Sequence, residues 1–119
     1  MIMKIKDVMK KNIITIPSNT LVTVAAKAMK EKNIGSIMIT DNRRYIGIVT
    51  ERDILYKVVA EGKNPKDILV DDIMTRSFVT IDADATLIKA NEIMDKNHIR
   101  RLLVEEDNKI VGILTTREI

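Results

Sequence analysis

The chain repeats itself. Shifted by 65 positions, residues 5–54 lie over residues 70–119 without a gap. Twelve positions are then identical: Asp7/Asp72, Met9/Met74, Thr15/Thr80, Ile16/Ile81, Ala25/Ala90, Met29/Met94, Ile34/Ile99, Gly47/Gly112, Ile48/Ile113, Thr50/Thr115, Arg52/Arg117 and Ile54/Ile119. Chance alone gives about two or three matches over such a span, so the chain carries two copies of one structural unit. Whatever one copy folds into, the other must fold into as well.

Each copy reads in the same order. "KIKDVM" and "LVDDIM" are short helical turns with an acidic start. "IITI" and "FVTI" are brief β-branched strands. A helix follows, with Val22, Ala25, Ala26 and Met29 on one stripe and Leu87, Ala90 and Met94 repeating it. "SIMIT" and "RLLVE" are strands of nearly continuous apolar character, "DNRR" and "EDNK" are polar turns, and "YIGIV" and "KIVGIL" are the next strands. A last helix opens at Thr50 and at Thr115. In the first copy it runs on through Val58 and Val59, and both are expected to be buried. In the second, only Thr116 to Ile119 follow the threonine, which leaves a single turn or a helix cut short.

A copy of about fifty residues buries too little surface to stand alone, and 119 residues suffice for one core of ordinary size. The expected fold class is therefore α/β (α+β): two β-α-β-β-α motifs packed through their sheets with pseudo-two-fold symmetry. Residues 1–60 form the first motif, 61–69 a linker broken by Gly62 and Asn64-Pro65, and 70–119 the second.

The most chemical phrase is the one said twice, "GIVTERDI" at 47–54 and "GILTTREI" at 112–119. Gly47 leaves room for something to approach the backbone. Thr50 stands where strand becomes helix, with Asp53 three residues on. That is the spacing of a capping box, in which threonine oxygen and carboxylate each accept an amide of the other's residue. The same atoms suit a nucleoside. A helix start favours phosphate, and a carboxylate there can accept hydrogen bonds from two vicinal hydroxyls. A carboxylate has about four lone-pair sites, so the two roles can coexist.

The duplication and this phrase together resemble a tandem pair of CBS domains, a Bateman module. The matching stretches are "IKDVM" and "VDDIM", "TI" before each first helix, "AAKAMKEKNIGSIMI" and "ANEIMDKNHIRRLLV", and the closing G-h-h-T-x-R-[DE]-I. The resemblance covers nearly the whole chain and implies a regulatory module that binds AMP, ADP, ATP or S-adenosylmethionine-type ligands in clefts between motifs. It implies no enzyme activity, no required cofactor, and a homodimeric assembly. Carried over residue by residue, a first ligand site comprises Thr50, Arg52, Asp53, Thr80, Ile81, Ala83, Arg100 and Arg101. A second comprises Thr115, Arg117, Glu118, Thr15, Ile16, Pro17, Gly35 and Ser36. Glu118 departs from the family's Asp, and Gly35 and Ser36 stand where the first site has two arginines. Arginine forks suit phosphate, so the first site is expected to be the better seat for a phosphorylated ligand.

Other features are read more plainly. His98, matched by Asn33, is expected to end a helix, and Met9, Met29, Met74 and Met94 to pack in the core. Arg43 and Arg44 belong to a solvated turn. Asp71 and Asp72 suit a helix start better than a catalytic pair. There is no cysteine, and His98 is the single histidine, so no metal site is expected. No apolar run reaches the roughly 20 residues of a membrane span, and "MIMKIKDVMKK" is too short and too charged for a signal peptide. The expected setting is the cytoplasm. Net charge is +3 and aromatic residues are 3%, which supports nucleic-acid binding poorly. The competing expectation is a structural dimerisation module with degenerate pockets. The downstream effector protein is not legible.

Overall fold

The computed structural model describes residues 2–116. They form two compact units, a central one of Ile14–Ser77 and a terminal one of Met1–Ile13 with Phe78–Ile119.

The central unit begins with β1 (Thr15–Pro17), α1 (Val22–Lys32), β2 (Ser36–Asp41) and β3 (Arg44–Thr50). It continues with α2 (Glu51–Ile54), which passes directly into a π-helical segment, Leu55–Val59. A 3₁₀ turn, Val70–Asp72, follows the linker. The sheet order is β1-β2-β3, with β1 parallel and β3 antiparallel to β2. A parallel pair needs a crossover, and α1 supplies it. Asn33 ends α1 in the left-handed conformation at φ 53°, which asparagine tolerates better than most side chains. The β2–β3 hairpin turns on Asn42 and Arg43, both at positive φ, as a two-residue type I′ loop requires.

The α1 stripe faces inward as the periodicity predicts. Val22, Ala25 and Met29 meet Ile37 and Ile39 of β2, Val49 of β3, and Val58, Val70, Ile73 and Met74. Ala26 is only half-buried. The expectation for the last helix needs correction. Val58 is fully buried, but Val59 is 59% exposed. Successive helical residues point roughly 100° apart, and here Val58 faces the core while Val59 faces solvent. The π-helical winding, seen in Ala60 N–H donating to the Leu55 carbonyl, selects Val58.

The terminal unit repeats this plan with a 3₁₀ turn (Ile5–Asp7), β4 (Thr80–Asp82), α3 (Leu87–Asn97), β5 (Arg101–Glu106) and β6 (Lys109–Thr115). Its sheet order is β4-β5-β6 with the same parallel and antiparallel pairings. Ile5, Ile81, Ala83, Ala90, Met94, Leu102, Val104 and Leu114 form its core. Met9 is half-buried against that core, while Met29, Met74 and Met94 are buried. His98 ends α3 at φ 54°, as Asn33 ends α1. Thr86 caps α3 by accepting the Lys89 amide at 3.2 Å. At the matching position α1 has Leu21, which has no oxygen to offer.

The compact units do not coincide with the sequence repeats. The opening turn of the first repeat belongs to the terminal unit, and that of the second to the central unit. Ile5 N–H donates to the Ala85 carbonyl at 2.9 Å, and Val70 N–H to the Thr20 carbonyl at 2.8 Å. The two bonds are the same bond, 65 residues apart. Each repeat's strands and helix are therefore completed by the turn that opens the other repeat.

Candidate functional site

The strand-to-helix junction at Thr50 is a complete capping box. Thr50 Oγ1 accepts the Asp53 amide at 3.1 Å. Asp53 Oδ2 accepts the Thr50 amide at 2.9 Å and the Thr50 hydroxyl at 3.1 Å. Asp53 is 8% exposed and is the buried charged residue among those described. Its other oxygen, Oδ1, faces the Lys57 ammonium at 3.0 Å, one helical turn on. The same ammonium donates to the Ile73 carbonyl at 2.9 Å. Three of the carboxylate's roughly four acceptor positions are thus filled from within the protein.

The surroundings of the cap are set by strand register. Ser36, at the start of β2, pairs with Thr50 at the end of β3. The Glu51 amide donates to the Gly35 carbonyl at 3.0 Å. Two amides of the first α2 turn, those of Glu51 and Asp53, are therefore already engaged. The helix start thus has two of its donors spent on the protein itself. Thr15, Ile16 and Pro17 occupy β1, with Thr15 and Pro17 exposed and Ile16 half-buried. The Arg52 guanidinium lies 5.2 Å above the Tyr56 ring on the exposed side of the helix.

The terminal unit presents the counterpart. Thr115 pairs with Arg101, and the Thr116 amide donates to the Arg100 carbonyl at 3.1 Å. Arg100 is exposed and Arg101 half-buried. Thr80 is exposed at the start of β4, whereas Ile81 and Ala83 are buried in the unit's own core. A ligand would meet these two through their backbone. Arg117 and Glu118 lie outside the described residues. Each unit thus brings a threonine of the repeated phrase beside the residues that open its middle strand: Gly35 and Ser36 in one, Arg100 and Arg101 in the other.

The glycine of each phrase has an occupant from the protein itself. A Cβ on Gly47 would overlap the Met74 thioether, and one on Gly112 would sit 2.5 Å from the Met9 sulfur and 2.9 Å from the Lys10 carbonyl oxygen. The expected close approach is real, but a methionine makes it.

Lys57 and the partners of Asp71 escaped the sequence reading. Lys57 is legible as the i+4 partner of Asp53. Asp71 is not, because its partners are over fifty residues away. Its Oδ2 accepts the Ser18 hydroxyl and its Oδ1 the Asn19 amide at 2.6 Å. Burial works against ionisation of Asp71. The bonds from Ser18 and Asn19, its own amide and the charge of Arg76 outweigh that, so it titrates below the usual carboxylate range. Asp72 behaves as a helix-start residue should, accepting the Leu69 amide at 3.2 Å. In the terminal unit Lys6 occupies Asp71's position and pairs with Asp84 at 2.8 Å. Hydrogen bonding to Asp84 and its charge raise the Lys6 pKa, and the same contact lowers that of Asp84. Among the described residues no cluster of His, Asp or Glu could hold a metal ion, and no helix is long and apolar enough to cross a membrane.

Comparison with known proteins now fits this geometry. The family model for the CBS domain matches residues 5–60 and again 70–119. The chain belongs to the CBS domain family. An uncharacterized protein of Methanopyrus kandleri is 40% identical over 116 residues, 95% of this chain and 59% of that relative. Hypoxic response protein 1 of Mycobacterium tuberculosis is 30% identical, with 96% and 80% covered. The chain spans only 38% of a further relative, an uncharacterized protein of Methanocaldococcus jannaschii. Among solved structures, the CBS domain pair of protein MJ0100, in complex with 5-methylthioadenosine and S-adenosyl-L-methionine, superposes with a TM-score of 0.86 at 32% identity, covering 99% of this chain and 93% of that one. A hexameric CBS-CP12 protein from bloom-forming cyanobacteria gives 0.90 at 31% identity, with 100% and 67% covered. Similar structures thus include one in complex with adenosine derivatives and one that is hexameric.

Proposed function

We propose that this CBS domain pair is a regulatory module that binds an adenosine-containing ligand, of the AMP, ADP, ATP or S-adenosylmethionine type, without turning it over. The observation that supports it most is the Thr50–Asp53 cap. It holds a buried carboxylate at a sheet end, fixed in orientation by two bonds to one oxygen, with acceptor capacity left for a ribose diol. Displacing Lys57 from Oδ1 would free a second acceptor. Thr15–Pro17, Gly35 and Ser36, of the second proposed site, offer backbone and hydroxyl groups at β1 and the start of β2. In the terminal unit, Arg100 and Arg101 open β5 beside Thr115 and would supply guanidinium groups for a phosphate there. The bound relative MJ0100 supports the class of ligand.

A thermal-melting screen with millimolar AMP, ADP, ATP, S-adenosylmethionine, methylthioadenosine and guanosine analogues tests this. A ligand at 100 times its dissociation constant stabilises by about 2.7 kcal/mol, which for a chain of this length raises Tm by about 10 °C. Asp53→Asn keeps an acceptor for the Thr50 amide and removes the charge, so it should abolish most of the shift while leaving the unliganded protein folded. No shift with any compound would sink the reading.

A second reading, a dimerisation module with degenerate pockets, draws on one observation. Leu21, Val24, Leu55, Tyr56 and Val59 of the central unit are between 40% and 59% exposed. Sedimentation that shows a monomer at micromolar concentration would count against it.

A further inference from the structure

The turn that opens the second repeat, residues 69–75, is gripped from two sides by charged side chains of the same unit. On one side the Lys57 ammonium bonds the Ile73 carbonyl at 2.9 Å while pairing with Asp53 Oδ1 at 3.0 Å. On the other, Asp71 holds the Ser18 hydroxyl and the Asn19 amide. Between the two grips the backbone is stiff. The amides of Ile73 and Met74 both donate to the Val70 carbonyl, at 3.2 and 2.9 Å, and the Thr75 and Ile48 backbones exchange two bonds of 2.9 Å. Val70, Ile73 and Met74 are buried. A close-packed segment of this kind transmits displacement rather than absorbing it. Ser18 and Asn19 directly follow Thr15–Pro17. Asp53, from the first proposed ligand site, and the β1 segment, from the second, therefore end on one rigid body.

We infer that segment 69–75 is a coupler between Asp53 and the loop after β1, with Lys57 as its positioning residue. The inference deepens the nucleotide reading and rests on it only for what occupies Asp53. A vicinal diol at Asp53 competes with the Lys57 ammonium for Oδ1. Lys57 then loses its anchor, its hold on the Ile73 carbonyl loosens, and the turn shifts. Asp71 carries the shift to Ser18 and Asn19. By linkage the effect runs both ways: a ligand that moves the β1 loop alters the affinity of Asp53 for its own ligand. At Asp71's position the terminal unit carries a different tie, from Lys6 to Asp84. Its Lys6–Asp84 pair is roughly half-exposed on both sides, so salt screens it.

The test is amide hydrogen exchange on the intact chain, without ligand, for wild type, Lys57→Met, Lys57→Arg and Asp71→Asn. Loss of one charge-assisted hydrogen bond changes a local opening equilibrium by about tenfold. Lys57→Met should speed exchange of the Met74 amide by that order, and of the remote Asn19 amide too. Lys57→Arg should restore most of the protection. Asp71→Asn should speed the Asp53 amide in return, and the double variant should do no more than the stronger single one. Faster exchange at residues 73–75 with Asn19 unchanged makes Lys57 a local tie and overturns the coupler. So does no change anywhere, or an equal rise across α1 and β2, which is general loss of stability. Methylthioadenosine at millimolar concentration is the ligand arm. Binding that speeds the Asn19 amide in wild type but not in Lys57→Met supports the coupler, and binding with Asn19 unchanged overturns it. If no melting shift occurs, the nucleotide reading falls alone, and the ligand-free variants decide the coupler.

Discussion

The two glycines of the repeated phrase should respond unequally to alanine. Neither has the positive φ that reserves a position for glycine, so the added methyl itself favours the extended backbone by about 0.5–1 kcal/mol. What it meets decides the outcome. At Gly47 the obstacle is the Met74 side chain, which has several rotamers to retreat into. Repacking there costs about 1–2 kcal/mol, for a net loss of about 1. At Gly112 the obstacles are the Met9 side chain and the Lys10 carbonyl oxygen, 2.9 Å from the new Cβ. That carbonyl accepts the Ile113 amide, and the Lys10 amide donates back to the Ile113 carbonyl, each at 2.9 Å. The backbone must yield by about half an ångström, straining two bonds worth about 1 kcal/mol each. Adding the repacking of Met9, the net cost is about 2–3 kcal/mol. Urea titration with a constant m-value should show Gly112→Ala as the weaker protein, melting about 10 °C below wild type. Met74→Ala combined with Gly47→Ala should cost less than the sum of the two. A Gly47→Ala variant less stable than Gly112→Ala, or strict additivity with Met74→Ala, would refute the reasoning.

Stability should fall in acid partly through Asp71. Its folded pKa lies below the unfolded value, so the unfolded chain binds the proton first. The contribution is complete above the ordinary carboxylate range and is lost as pH drops through the folded pKa; urea midpoints between pH 2 and 6 should be flatter for Asp71→Asn than for wild type. Leu21→Thr should copy the cap that Thr86 provides and add about 0.5–1 kcal/mol, read as a raised urea midpoint. Val58→Ala should cost about 2 kcal/mol, and Val59→Ala less than about 0.5. Equal effects at the two valines would contradict the π-helical placement.

Much of the fold was legible because duplication let each copy check the other. The α1 and α3 stripes, the apolar middle strands, the polar hairpin turns and the helix-ending Asn33 and His98 all occur twice, and local chemistry sufficed for each. The capping box was legible for the same reason: Thr50 and Asp53 are three residues apart. Contacts across long separations left no local trace. Nothing near Gly47 announces Met74, and nothing near Asp71 announces Ser18. Adjacency misled at Val59, where two consecutive apolar residues suggested shared burial and only Val58 faces the core. It also concealed which turn completes which core, because the repeat boundary drawn from similarity is not the boundary drawn by packing.

That difference has a consequence for the order of assembly. The bond between Val70 and Thr20 closes a stretch of fifty residues, and the one between Ile5 and Ala85 a stretch of eighty. Entropy barely separates them, since the longer closure costs only about 0.4 kcal/mol more. Synthesis does separate them. Every residue of the central unit has been made by Ser77, when the partners of Ile5 have yet to be translated. Residues 2–13 must therefore wait, with Ile5 exposed, until the strands and helix of residues 78–116 have been made.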